Sequence, residues 1–284
     1  MGNLEFLWIF KKNYKNVWFL NNIMKEFVKD IISKKELKSI DINFARKVFE
    51  EVKTENVSLY KKVEQKNFNE RSKEYKELKK IVRQRLRSYF GSFNTTISEK
   101  SKAKSEEELL KKHLSTRERY EYIQEFSDFL GETESILDLG CGYNPFFYKY
   151  FKGNPKYLAS DISSDLNYIQ KYFDKNKIDG KTKILDLTKD DDLDLLENIS
   201  KDYDVCLMLK LLDPLEKQKR DITRTLLKKI KSKIIIVSFS TMSIGGRTKI
   251  TSKRSWFYEQ IKNKAYEEIE LGPEKYIKIK NSNC

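Results

Sequence analysis

Apolar residues recur three and four positions apart from Leu4 to about Tyr89, as at Phe44, Val48 and Val52 and again at Leu59, Tyr60 and Val63. That period gives each helix one apolar stripe for a core and leaves the other faces to water. Proline is absent before Pro145 and glycine is rare, so the segment predicts a helical bundle or cap. Its stretch Glu74–Arg87 is amphipathic and strongly basic. Its many Tyr and Phe residues fit a core better than a base-stacking platform. Gly91–Ser105 is polar and loop-like, and Glu106–Leu130 predicts a further helix that Ser115 and Thr116 break or cap.

The rhythm changes after Glu134. Short apolar runs follow at Ser135–Leu139, Tyr157–Ile162, Thr182–Leu187, Tyr203–Leu212 and Lys233–Ser240. Helical stretches lie between most of them, at Phe146–Phe151, Leu166–Asn176 and Leu215–Ile230. Continuous apolar strands alternating with helices predict a parallel sheet covered on both faces, an α/β fold. Tyr266–Leu271 and Lys275–Lys280 alternate apolar with polar residues about Gly272–Pro273, which predicts a hairpin at the sheet edge. The chain therefore divides into a helical domain, residues 1–105, and an α/β domain, residues 106–284.

Charge changes this picture more than composition does. The chain carries a net charge of +14. Residues 1–113 hold 27 Lys and Arg against 16 Asp and Glu, and residues 114–284 hold 30 against 27. An excess gathered in the helical part suits a polyanion, nucleic acid before an anionic membrane, and equally suits a lysine-rich solvated surface. Lys79, Lys80, Arg83 and Arg87 fall three or four apart on one side of a helix and are the candidate phosphate contacts, while Ile81, Val82 and Leu86 face elsewhere. Three scattered cysteines and the single His113 provide neither a disulfide framework nor zinc-ligand spacing, so no metal is expected and a reducing cytoplasm is. Met1–Ile23 is interrupted by Glu5, Lys11, Lys12 and Lys15. It matches neither a membrane span of roughly 20 apolar residues nor a signal peptide.

The candidate chemistry lies in ILDLGCGYNP, Ile136 to Pro145. An acidic residue, Asp138, ends a buried strand, and the turn Gly140–Cys141–Gly142 follows. Ligands of open parallel sheets sit beyond the carboxyl ends of the strands, and glycines there let a ligand approach the backbone. Asp161, ending the second strand about 20 residues on, can accept both hydroxyls of a ribose. Asp186 ends the third strand where an adenine is framed, with Ile162 and Leu187 as apolar neighbours. A dinucleotide site wants a third glycine and a pyrophosphate on a helix N-terminus. This chain has Pro145 there, then crowded aromatics, and Asp138 repels a pyrophosphate. A cofactor bearing a sulfonium and an ammonium fits better, which points to S-adenosylmethionine.

With FGSF (Phe90–Phe93), HLSTRER (His113–Arg119), YLASDI, LMLKLL with PLEKQ (Leu207–Gln218), VSFSTMSIGGR (Val237–Arg247) and Trp256–Phe257, the chain resembles the aminoglycoside-resistance 16S rRNA methyltransferases of the guanine-N7 group. The resemblance covers most of the chain after about residue 25. It implies a class I (Rossmann-like) methyltransferase sheet with an N-terminal α-helical domain and a C-terminal β-hairpin. It also implies methylation of guanine N7 in the decoding region of small-subunit rRNA, and aminoglycoside resistance as the consequence. Arg119 resembles the family arginine that pairs with the cofactor carboxylate. Lys210, in the fourth strand, is the candidate contact to the target base or its phosphate, because an ammonium in a buried strand is costly without a purpose. Glu216 is the candidate holder of a basic residue, and Arg247 the grip on the base or RNA backbone. The expected partner is the 30S subunit, met by a cytoplasmic monomer without metal or membrane. Ser240 stands where the family usually has proline, and the basic Thr248–Arg254 replaces a Gly- and Glu-rich stretch. Other readings on the same fold are a methyltransferase of another RNA, a protein or a small molecule, and a non-catalytic RNA-binding relative.

Overall fold

The computed structural model describes residues 23–281 except 35, 36, 39, 91–104, 113, 163, 164 and 244–247. The chain falls into two compact units, residues 1–87 and 88–284, a division earlier than the boundary after residue 105 that composition suggests. The first unit contains helices α1 (residues 23–32), α2 (Ile42–Glu55), α3 (Val57–Gln65) and the start of α4 (Lys73–Phe90). Asp41 caps α2 by accepting the N–H groups of Asn43 and Phe44 at 2.8 and 3.1 Å, which satisfies donors the first turn leaves orphaned. Its core is aromatic: the Phe27 ring packs 5.2, 5.6 and 4.9 Å from Phe49, Phe68 and Tyr75. On α4 the buried stripe runs Tyr75, Leu78, Val82, Leu86.

The second unit opens with three short helices, α5 (Glu106–Lys112), α6 (Leu114–Tyr120) and α7 (Ile123–Leu130), where periodicity suggests one helix. The Thr116 hydroxyl donates to the Leu110 carbonyl at 2.8 Å, and a tight turn joins the Tyr122 N–H to the Arg119 carbonyl at 2.9 Å. Breaking the helix there leaves Arg119 buried.

The sheet has the order β3-β2-β1-β4-β5-β7-β6. Strands β1 (Ser135–Leu139), β2 (Lys156–Asp161), β3 (Gly180–Ile184), β4 (Val205–Leu209) and β5 (Ile234–Ser240) are parallel. The hairpin β6 (Tyr266–Leu271) and β7 (Glu274–Lys280) joins antiparallel to β5 at the edge, as its alternation predicts. Helices α8 (Leu166–Lys175), α9 (Asp190–Ile199), α10 (Leu212–Gln218), α11 (Ile222–Lys229) and α12 (Ser255–Ile261) complete the unit. Two buried apolar clusters, one holding Phe146, Tyr157 and Phe173 and the other Met208, Leu226 and Phe257, contain residues that alternate along the strands.

The long fourth strand expected to reach Leu212 stops at Leu209. Lys210 takes φ +54°, outside any strand, and Leu212 begins α10 with Pro214 in its first turn, where a missing N–H costs nothing. The single helix expected over Leu215–Ile230 divides at Asp221, whose φ is +62°. Asp186 and Leu187, expected to close the third strand, lie in the loop beyond it.

Candidate functional site

The carboxyl ends of β1, β2 and β4 open on a cavity of about 360 Å³, with the strand order reversing at β1 and β4. This is where an open α/β sheet holds its ligand. Gly140, Gly142, Asp161, Ile162, Asp186, Leu187, Arg119 and Lys210 line it beside Cys141, so the structure brings together eight of the site residues that the sequence singled out.

Two glycines make the turn possible. Gly140 has φ +61°, and a Cβ there would meet Leu211 Cδ1 at 2.6 Å. Gly142 has φ +49° with open space where its Cβ would stand, which leaves room for a ligand against bare backbone. Its N–H donates to Asp161 Oδ2 at 3.0 Å, so the turn and the second strand orient each other. Asp186 accepts from the Thr188 N–H and hydroxyl at 3.1 and 2.6 Å. That Asx turn fixes its carboxylate at the rim.

Asp138 differs from the expectation. It is fully buried and lies outside the cavity lining, accepting from the Tyr157 hydroxyl at 2.7 Å and from Asn144 Nδ2 at 3.5 Å. Burial pushes its carboxyl up to about 7, against the opposing pull of Tyr157, Asn144 and Arg119. Asn144 does line the cavity, so Asp138 acts on it through this amide and through its field.

Arg119 is held on three sides. Its Nε donates to the Tyr276 hydroxyl at 2.9 Å, Nη1 to Asn144 Oδ1, and Nη2 to Glu274 Oε1 at 2.6 Å. Glu274 is itself buried and also accepts from the Ser238 hydroxyl. Its second oxygen stands 3.3 Å from Lys210 Nζ. Burial opposes its charge, yet Arg119 and Lys210 outweigh burial and hold its carboxyl below the usual range. Lys210 donates to Glu118 at 2.8 Å, and its N–H is bonded to both the carbonyl and the hydroxyl of Ser238. These bonds hold a lysine in the left-handed region at a cost of about 1–3 kcal/mol.

Glu118, Asn144, Ser238, Glu274 and Tyr276 are thus site residues that sequence reasoning missed. Asn144 and Glu118 sit inside motifs already recognised. Glu274 had no local signal, because its partner Arg119 is 155 residues away. It reaches the site because the β5–β7 register sets Glu274 opposite Ser240 and Tyr276 opposite Ser238.

Six further candidates remain. Glu216 does not line the cavity; its two oxygens accept the N–H groups of Asp221 and Thr223 at 2.9 and 2.8 Å and cap α11. Arg247 lies outside the described residues. In the first unit, Lys79 and Arg83 are turned inward. Lys79 pairs with Asp30 at 2.9 Å, and Arg83 donates to the carbonyls of Ile31 and Asp30 at 3.0 and 2.6 Å. Lys80 is exposed and Arg87 half-buried.

Among the described residues no helix is long and apolar enough to cross a membrane, and no group of His, Cys, Asp and Glu is placed to hold a metal. A family profile described as ribosomal RNA methyltransferase (FmrO) matches residues 75–268. A 16S rRNA (guanine(1405)-N(7))-methyltransferase of Micromonospora echinospora is 31% identical over 144 residues, covering 48% of this chain and 50% of the relative. One of the same name from Serratia marcescens is 29% identical over 187 residues, covering 63% and 72%. The chain spans about half the length of the curated relatives it matches at 31% identity. The crystal structure of the 16S rRNA methyltransferase RmtF in complex with S-adenosyl-L-homocysteine superposes with a TM-score of 0.69 at 21% identity, covering 91% of this chain and 98% of that one, a likeness of fold.

Proposed function

Because the chain belongs to the FmrO ribosomal RNA methyltransferase family, we propose that it is an S-adenosylmethionine-dependent enzyme that methylates guanine N7 in the decoding region of 16S rRNA. The observation that carries the reading is the cavity itself. Open backbone at Gly142, the Asp161 carboxylate and the loop at Asp186 converge there beside a buried arginine and lysine.

The cavity suits this cofactor on chemical grounds. In this reading Asp161, at the end of β2, takes the ribose hydroxyls, and the Asp186–Leu187 loop with Ile162 frames the adenine. Arg119 faces the cavity for a carboxylate. Asp138, a carboxyl hard to ionise in its present surroundings, gains from cations arriving above it. When bound, S-adenosylmethionine supplies a methyl group made electrophilic by its sulfonium.

Guanine N7 carries an outward lone pair and needs no deprotonation, so the protein has to align the base and keep water out. In this reading Lys210 meets the base edge or its phosphate, since N7 and O6 form an acceptor pair. That edge lies in a deep, narrow groove of an RNA helix, so the base is taken out of its stack. Lys80 and Arg87 in α4, with Arg247, supply phosphate contacts to the 30S subunit, which position rather than read sequence. The reading includes a cytoplasmic, monomeric enzyme whose product protects against aminoglycosides.

The test is to map 7-methylguanine in small-subunit rRNA after incubating 30S subunits with enzyme and S-adenosylmethionine. One modified guanine in the decoding region is expected. Methyl transfer to a protein, another RNA or a small molecule, with 16S rRNA unmodified, overturns the assignment.

A further inference from the structure

Thr248–Arg254, where the chain departs from its family's usual pattern, ends in a residue with unusual placing. Arg254 has φ +44° and directly precedes α12, its carbonyl accepting the Phe257 N–H at 2.8 Å. Phe257 and Ile261 of that helix are fully buried, so the arginine is rooted in the core. Its guanidinium reaches two separate elements. Nε and Nη2 donate to Asp213 Oδ2 at 3.1 and 2.9 Å, and Nη2 also donates to the Ser240 carbonyl at 2.9 Å. The cation lies 4.5 Å from the centre of the Phe239 ring, and its side chain is only 10% exposed.

Each partner belongs to a wall of the cavity. Asp213 and Pro214, in the first turn of α10, line one side; Ser240, Met242 and Ile250 line another. Met242 and Ile250 belong to two short segments paired antiparallel. Met242 bridges Lys249, the Ile250 N–H donates to Thr241 O, and the Ser243 N–H to Thr248 O, both at 2.7 Å. The carbonyl end of β5 and the helix α10 have no strand pairing between them beyond Leu209 and Ser238. Arg254 spans that gap.

We infer that Arg254 is a positioning residue. It clamps Asp213 of α10 to the end of β5 and so holds Met242 and Ile250 against the cavity where the acceptor base is aligned. Arginine is needed because one planar fork serves a carboxylate and a carbonyl while stacking on an aromatic ring. The cofactor-side residues, Gly142, Asp161 and Asp186, make no contact with the clamp, so it acts on alignment and leaves cofactor affinity alone. The kinetic part of the inference rests on the proposed activity; the structural part does not.

The test begins with hydrogen exchange of the Ser243 and Ile250 amides in the full chain. Arg254→Ala and Asp213→Ala each raise exchange at both amides by roughly tenfold, the double variant adds little more, and Arg254→Lys falls between, as expected for groups coupled through one contact. Amides of β4 keep wild-type rates. In parallel, Arg254→Ala lowers kcat for 30S methylation by roughly tenfold through lost alignment, with an unchanged affinity for S-adenosylhomocysteine. Wild-type exchange at Ser243 and Ile250 in Arg254→Ala, or strictly additive effects of the two substitutions, overturns the clamp. So does loss of kcat only in proportion to loss of cofactor binding. A wild-type enzyme that leaves 30S unmethylated overturns the proposed activity instead, and the exchange result still decides the clamp.

Discussion

Two regions of this molecule hold cations on carboxylates, and they do so for different ends. In the sheet unit, Arg119 and Lys210 converge on Glu274, a carboxylate 1% exposed, with Glu118, Ser238, Asn144 and Tyr276 filling the remaining valences. In the helical unit, Asp30 gathers the Tyr75 hydroxyl at 2.5 Å, Lys79 at 2.9 Å and Arg83 at 3.7 Å, at a site still 27% exposed. The first arrangement gives up solvation on every side and yet faces a cavity. The second fastens one helix to another. Net charge marks the helical part as the functional cation store, but part of that charge is spent on internal ties. The cations with the strongest claim to chemistry sit where the charge is nearly balanced.

The comparison breaks most visibly at its centre. Glu274→Gln leaves two buried cations short of a counter-charge and is expected to destabilise the protein by about 3–5 kcal/mol. Urea denaturation measures it; a loss within experimental error would mean that Glu118 alone suffices.

The next effect is a pH dependence. Asp138 is pushed from an ordinary 3.8 up to about 7, so the folded state favours its protonated form. Its contribution to stability is therefore complete below about pH 4 and is lost as pH rises toward 7. A cationic cofactor favours the ionised form, so its binding releases a proton. Affinity for S-adenosylmethionine then strengthens with pH, by at most about tenfold per unit, and levels off above about 7. S-adenosylhomocysteine, lacking the sulfonium charge, follows a shallower curve. Calorimetry across pH 5–8 checks this, and a flat profile for both ligands would separate Asp138 from the cofactor.

Asp30→Ala is expected to cost less, about 1–2 kcal/mol, because its lost hydrogen bonds are partly open to water. It leaves cofactor affinity unchanged, and denaturation paired with cofactor titration tests both halves. The smallest stability effect is that of Lys80→Glu, within about 0.5 kcal/mol of wild type. Yet it reduces the salt slope of 30S binding by about one if Lys80 meets a phosphate. An unchanged slope in filter binding would return α4 to a solvated helix face.

The same contrast explains what could be read from the chain before its structure. The parallel strands and the glycine turn were legible because their signals are local: apolar runs at Ile136–Leu139 and Ile235–Val237, and two glycines where φ must be positive. Helix continuity was not legible where tertiary bonds cut it, at Arg119–Tyr122 and at Asp221, since periodicity registers the stripe and not the break. The stripe of basic residues on α4 was visible. The inward turn of Lys79 and Arg83 was not, because Asp30 lies 49 residues before Lys79. Asp138 shows the reverse case: its place at the end of β1 was correct, but one amide, Asn144, stands between it and the cavity.

The hairpin that delivers Glu274 also orders events in time. Apart from Tyr276, every other residue of the cluster precedes it along the chain, and it pairs with Arg119 across 155 residues. A ribosome making this protein must therefore finish the five parallel strands, β6 and the turn after it before Arg119 and Lys210 acquire the counter-charge that they share. Until β7 zips onto β5, Arg119 lacks its carboxylate partner and Lys210 has Glu118 alone. The charged cluster is thus completed only when nearly all of the sheet has been synthesised, a delay of some consequence for an enzyme whose proposed target is the machine that makes it.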